Sequence, residues 1–465
     1  MKFKFFLSTS FVFSSFLFVQ VAQADNLDHS DEHLNFIRYQ EDFSYLKDAE
    51  KKHGFEHLKN IPVFDSDLHV SFGGSLRERY EYYSHDNFGI PQKDGDGYLI
   101  HRLLVHTDLN YRDQVRLFVE LGNTLTVDKT ASNVPYEDQL DLQQAFLEFK
   151  LPSNELAEKA YLRVGRQEMA FGDQRLISIR DSPGVRRTFD GVRLGGENDQ
   201  VKFDAFYTNS VTLKKGTWDD RTNQDQDFWG IYSTVKQISD LPLAVDLYYL
   251  GILNKQNTFA HASGREKRHS VGYRLFGKTK NFDYDFENLY QFGEIGDQDI
   301  RAIGFTFDGG YKIELDVKSR VGFKLTASTG DKKPDDNKLT TYNGLFPKMA
   351  YFNQAGLLGT QNMIDFQPNI SFFPTDKVKL TLAHDFLWRM TSKDAVYTAA
   401  GRPIANTAGE GNRFTSGQTS LDIDYKFNRR LSFNGGSVYI SVSDSLKEAG
   451  GKDTLFNYLT MTYLF

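Results

Sequence analysis

From residue 68 to the carboxy terminus, apolar and polar side chains alternate with a period of two in segment after segment. In Leu68–Tyr83 one parity holds Leu68, Val70, Phe72, Leu76, Tyr80 and Tyr82; the other holds Ser71, Ser75, Arg77 and Arg79. In 100–111, Leu103, Val105 and Leu109 oppose Arg102, His106 and Asp108. After an Arg112-Asp113 turn, Val115, Leu117, Val119 and Leu121 alternate with Arg116, Phe118 and Glu120. The period returns in 143–151, 201–209, 243–251, 271–277, 282–287, 303–314, 321–327, 364–372, 378–389, 419–427 and 431–439. It ends on 455–465, LFNYLTMTYLF, whose last residue is Phe465. Such alternation puts successive side chains on opposite faces of a strand. Counted along the chain it gives about 18 segments, which predicts an all-β fold, a transmembrane antiparallel barrel.

The connections alternate too. Short ones fall at Arg112-Asp113, 197–199, Ser239-Asp240, 278–280, 316–319, 374–376 and Asn428-Arg429. Between them lie long polar stretches at 84–97, 127–137, 170–187, 210–226, 253–266, 330–360, 391–415 and 442–454. Short turns on a periplasmic rim and long loops on the extracellular one is the outer-membrane arrangement. A soluble sandwich has no need of it.

Residues before 68 have a different texture. Lys2 and Lys4 precede a mostly apolar stretch, 5–21, and Ala22-Gln23-Ala24 supplies a small-x-small cleavage pattern. Residues 1–24 therefore read as a secretory signal peptide, and the expected location is the outer membrane of a Gram-negative cell. Residues 25–67 are acidic and histidine-bearing, with helix expected around 43–53, and read as an N-terminal periplasmic segment. The pairs His29/His33 and His53/His57 would share helical faces, but without a third ligand they read as solvated histidines.

Composition narrows the chemistry. There is no cysteine, hence no zinc–thiolate site and no thiol nucleophile. A formal net charge of −7 argues against a nucleic-acid partner. The 24 tyrosines, each with an apolar ring and a wet end, suit the interfacial girdles of a barrel.

If the apolar parity faces lipid, the other faces a lumen. An arginine on the lipid side near the midplane costs roughly 2–4 kcal/mol, so strand arginines should point inward. This assigns Arg77, Arg79, Arg102, Arg116, Arg163, Arg193, Lys324 and Arg389 to the lumen, with the acids Asp108, Glu120, Glu148, Asp283, Asp285 and Glu287. Arginine is dense between Arg163 and Arg193, a run that includes Arg166, Arg175, Arg180, Arg186 and Arg187. Arg166 shares the parity of Leu162 and Val164, so its placement in the lumen requires a bulge or a strand top beyond the hydrocarbon. Staggered arginines could draw a polyanion through a pore, each worth about 4 kcal/mol to a carboxylate some 4 Å away at an effective dielectric near 20. The alternative is that they pair with wall acids and stiffen a solvated barrel.

Several runs resemble the alginate-export family of outer-membrane barrels: GRQEMAFGDQRL at 165–176, FDGVRL at 189–194, STGDKKPDD at 328–336 and LFPKMAYF at 345–352. DAVYTAAG at 394–401, LDIDYKFNRRLSF at 421–433 and the terminal YLTMTYLF complete the set. The resemblance implies an 18-stranded monomer with an arginine-rich, anion-selective constriction, inward-folded loops and passive diffusion of a negatively charged polysaccharide. The acids Asp283, Asp285 and Glu287 depart from a purely electropositive conduit, which leaves a less selective porin as the alternative.

Other chemistry is thinner. Asp94–Gly97, Asp219–Asp227 and 331–337, with Asp331, Asp335 and Asp336, could hold calcium in loops, although none has EF-hand spacing; no other cofactor is expected. His261, His269, Ser263 and Asp181 could form a hydrolytic site only if folding gathered them, and a structural or adhesive barrel is a third alternative. Expected partners are outer-membrane lipid, an anionic saccharide or other anionic solute, and barrel-assembly machinery that reads the terminal strand.

Overall fold

The computed structural model describes residues 33–47, 51–64, 67–90, 95–130, 134–153, 157–238, 241–409 and 411–465. The expected signal peptide, His29 and the Ser239-Asp240 turn lie outside them. Eighteen strands close into one antiparallel barrel, each pairing with its neighbours along the chain. Leu68–Tyr83 closes the ring against Thr454–Leu464, with Arg79 opposite Thr460 and Ser75 opposite Leu464. Phe465 extends that ladder through a reciprocal pair of bonds with Gly74, 2.9 and 3.0 Å. A Cβ at Gly74 would fall 2.2 Å from the Leu104 carbonyl oxygen and 2.5 Å from the Phe465 ring, so only glycine leaves room there.

The alternation sorts as its period requires. Tyr80, Val105, Val164, Val192, Tyr207, Leu421 and Leu459 stay exposed on the outer face, whereas Arg77, Arg79, Arg102, Glu120 and Arg163 are buried on the inner one. No described helix is long and apolar enough to cross a membrane; the wall is all strand. Three short strands lie outside it, Ile61–Val63, Arg221–Thr222 and Lys338–Leu339.

Two expectations change. The stretch 253–266 is not a long loop, because Ala244–Thr258 and Ser263–Lys278 run on and leave only 259–262 as the turn. Its polar residues satisfy one another across the ladder: Asn254 donates to Glu266 at 2.7 Å, and Arg268 to Glu266 at 2.6 Å. Inward polar residues that pair let a strand outlast its hydrophobic pattern. Of the helix expected around 43–53 the described residues form a short 3-10 turn at Ser44–Lys47, with a second at Gly54–Leu58, and 48–50 lie outside the described residues.

Candidate functional site

After Lys159–Gln167 the chain folds into the lumen. Met169, Phe171, Leu176 and Ile177 are buried against the wall residues Phe189, Phe206, Phe228 and Tyr232. Phe206 and Phe228 sit on the lumenal parity, and large apolar rings there need a cover. The same segment is bridged to a second inward loop, 329–362, by Ser178 N–H to Phe346 C=O at 3.0 Å and Phe346 N–H to Leu176 C=O at 2.9 Å.

So anchored, the 168–188 loop holds Asp181 among three arginines. Arg77 donates to Oδ2 at 3.1 Å; Arg102 and Arg186 each donate to Oδ1 at 2.8 Å. Arg102 also donates to the Gly184 carbonyl at 3.0 Å, and Arg77 to that of Pro183. The arginine side chains are only 2–4% exposed, yet the Asp181 side chain remains 35% exposed. Burial alone would raise its carboxyl, but Arg102, Arg186 and Arg77 together hold it well below the usual carboxylate range. The same loop carries Arg180 and Arg187, which donate only to the carbonyls of Val185, Ser178 and Pro347 and meet no carboxylate among the described residues. Burial pushes Arg180 down to about 10. Positive charge is therefore in local excess.

The N-terminal segment reaches the same place from the short-turn rim. Tyr39 packs edge-on against Phe146 and Phe118, centroids 5.6 and 6.3 Å apart, and its hydroxyl donates to the Glu168 carbonyl at 3.0 Å. Arg163 stacks on Tyr39 and Phe146 at 4.2 and 4.1 Å. Arg38 donates to the carbonyls of Gly74 and Phe465, both at 2.8 Å, and Arg186 lies over Phe36 at 4.3 Å. Sequence reasoning missed this docking. Its signal was Phe118 and Phe146, aromatic rings flanked on the lumenal parity of their own strands by Arg116, Glu120, Gln144 and Glu148.

Most of the other expected wall residues form pairs. Arg116 meets Asp108 at 2.7 Å, Arg193 meets Asp204 at 2.8 Å, Arg79 meets Glu81 at 2.6 Å, and Arg163 meets Glu148. From the inward loop Arg175 reaches Asp285 at 2.8 Å and Glu287 at 3.0 Å; Asp283 pairs with Arg320 at 2.6 Å. Lys324 lies 3.6 Å from Asp365 and 3.9 Å from Asp385. Glu120 accepts from Gln144 at 3.0 Å. A cavity of about 430 Å³ opens between Arg175, Asp283, Asp285, Arg320 and Lys379.

Two expectations are corrected, for Arg166 and for the loop-calcium acids, while Arg389 keeps the inward parity of Asp385 in another role. Arg166 keeps the outward parity of Val164, because the ladder runs unslipped through Val164–Val192 to Arg166–Asp190. It avoids the hydrocarbon by pairing with Asp190 at 2.8 and 3.1 Å, and Thr222 of the 213–225 loop donates to that same carboxylate at 2.7 Å. Arg389 donates to the carbonyls of Ser392 at 3.0 Å and Asn412 at 2.6 Å, and to that of Thr407. It ties down the 390–413 loop rather than facing an open path. Asp331, Asp335 and Asp336 do not converge: Asp331 is buried and bonded to Lys333 N–H, while the other two are exposed. Nor does the hydrolytic set assemble. His269 stacks on the outer-face ring of Phe292, His261 meets the Lys393 carbonyl, and Asp181 is inside.

A closed wall of alternating strands, lined within by polar pairs and inward loops, defines an outer-membrane β-barrel of the channel-forming class. The family model described as alginate export matches residues 68–458, and the chain belongs to that family. Among solved structures it is similar to OpdQ of Pseudomonas aeruginosa, at 14% identity and a TM-score of 0.57 over 87% of this chain and 99% of that one. OccAB1 of Acinetobacter baumannii aligns at 12% identity and a TM-score of 0.57, covering 85% and 96%. A BenF-like porin from Pseudomonas fluorescens Pf-5 aligns at 10% identity and a TM-score of 0.56, covering 85% and 98%. At such identities these likenesses speak for the fold. Comparison with curated protein sequences finds no significant match.

Proposed function

We propose that this channel passes an anionic solute by diffusion, a polyuronate of the alginate kind or a shorter oligouronate, along arginines grouped about the 168–188 loop. The observation that carries the reading is the convergence of Arg77, Arg102 and Arg186 on the Asp181 carboxylate. A uronate presents the same group, and Asp181 is exposed enough to be exchanged for it. Arg180 and Arg187 add positive charge that no acid among the described residues meets. Buried arginine–carboxylate geometry is strong in a low-dielectric setting but is shared among several donors, so no single site need trap a passing chain.

The paired acids favour a second reading, a porin for other small solutes. The cavity beside Arg320 carries Asp173, Asp283, Asp285 and Asp308 against Arg175, Arg320 and Lys379, which is not an electropositive lining. Single-channel recording in planar bilayers separates the two. Current blocked by oligouronates but not by neutral oligosaccharides of equal length supports the first; equal block by both supports the second.

A further inference from the structure

Away from the lumen, on the long-loop rim, the 213–225 loop packs on the top of Asp138–Leu151. Trp218 N–H donates to the Leu140 carbonyl at 3.0 Å, and Gln139 N–H reaches the carbonyls of Lys215 and Gly216, both at 3.2 Å. This contact brings four acids together from two segments distant in sequence. Carboxylate oxygens of Asp138, Asp141 and Asp220 all lie within 4.8 Å of one another. Asp219 stands beside them, its own N–H donating to Asp141 Oδ2 at 2.8 Å; Asp220 N–H donates to that oxygen at 3.0 Å.

The group is short of counter-charge. Arg166 is committed to Asp190 and comes only to 4.0 Å from Asp141. Lys215 is paired with Glu137 at 3.3 Å, and Lys214 contributes only its backbone N–H, to Asp220 at 2.6 Å. A second observation is independent of the clustering. Asp138 is 5% exposed, yet its Oδ1 has no hydrogen-bond partner, and neither does the buried Oδ1 of Asp219. A buried carboxylate oxygen left unpaired is costly, and no donor among the described residues reaches either oxygen.

We propose that Asp138, Asp141, Asp219 and Asp220 bind a divalent cation of the calcium type, which staples the 213–225 loop to the barrel wall. The donors are all hard oxygens, the set such an ion takes at about 2.3–2.6 Å. Two oxygens that share one ion at that radius lie no more than about 5 Å apart, and the three carboxylates meet this limit. This site is separate from the lumenal arginines, and its fate does not depend on what the channel conducts.

Trp218 supplies the probe, since it adjoins Asp219 and is 58% exposed. Terbium, a luminescent stand-in for calcium, is titrated into the full chain purified in detergent with excitation of tryptophan. Expected are sensitised emission reversed by calcium in the range of about 0.1–1 mM typical of extracellular sites, and loss of most emission in Trp218→Phe. Asp138→Asn and Asp220→Asn should each weaken terbium binding about tenfold or more, while Asp331→Asn leaves it unchanged. Should Asp138→Asn fail to fold, Asp220→Asn decides, together with wild-type protein: calcium should protect the Lys214-Lys215 bonds from trypsin. Terbium binding unaltered in Asp220→Asn, or cleavage at Lys214-Lys215 indifferent to calcium, overturns the proposal.

Discussion

Asp181 behaves as an internal counter-anion. It pairs with Arg77, Arg102 and Arg186 at once, in the position proposed for a solute carboxylate. Opposite substitutions should therefore act in opposite directions. Asp181→Asn leaves Arg77 and Arg102 without a carboxylate among the described residues and Arg186 with only Glu168, 3.6 Å away, and should raise the chloride-to-potassium permeability ratio roughly twofold, whereas Arg102→Ala should lower it by a similar factor. Reversal potentials in a salt gradient measure both; a shift of the same sign in both variants would contradict the assignment. Lys59 gives a second residue-scale expectation. Burial lowers its ammonium to about 8, against the opposing pull of Glu41. Undocked, a lysine titrates near about 10.4. Between those values the docked segment binds fewer protons than the free one, so docking strengthens as pH rises through that window and carries its full penalty below it. Proteolysis of residues 51–60, followed from pH 7 to pH 10, should slow with rising pH; a rate indifferent to pH would contradict it.

At the scale of elements, the wall was legible in the sequence and the filling of the lumen was not. A two-residue period fixes which face each strand presents, so Leu68–Tyr83 and the terminal strand could be read directly. The period says nothing about what covers the inner face. Phe118, Phe146, Phe206 and Phe228 broke the polar parity because Tyr39 and the 168–188 loop lie against them. Arg166 shows the opposite limit. Its parity was right, and a loop contributed from some fifty residues away makes the outward position tolerable. Two element-scale outcomes follow. Removal of residues 33–60 should increase single-channel conductance, because Tyr39 and Phe36 leave the lumen; unchanged conductance would mean that solute bypasses the segment. Deletion of Phe465 removes the ring over Gly74 and one of the carbonyl acceptors of Arg38. It should reduce membrane insertion more than conductance per inserted channel, as measured by heat-modifiable gel mobility beside planar-bilayer recording.

For the whole molecule, a closed barrel of 18 strands has no free edge, and its backbone bonds are met within the wall. Those ladder bonds do not involve the arginine side chains, most of which instead pair with wall acids. Their grouping at the inward loop, where Arg180 and Arg187 meet no carboxylate among the described residues, is the feature on which the proposed anion path rests. The most direct measurement is the reversal potential of the full-length wild-type channel across a potassium chloride gradient, before and after addition of oligouronate. The account expects anion selectivity, with current blocked by micromolar to millimolar oligouronate, as weak multi-donor contacts allow. A cation-selective or unselective current that oligouronate leaves untouched would contradict it.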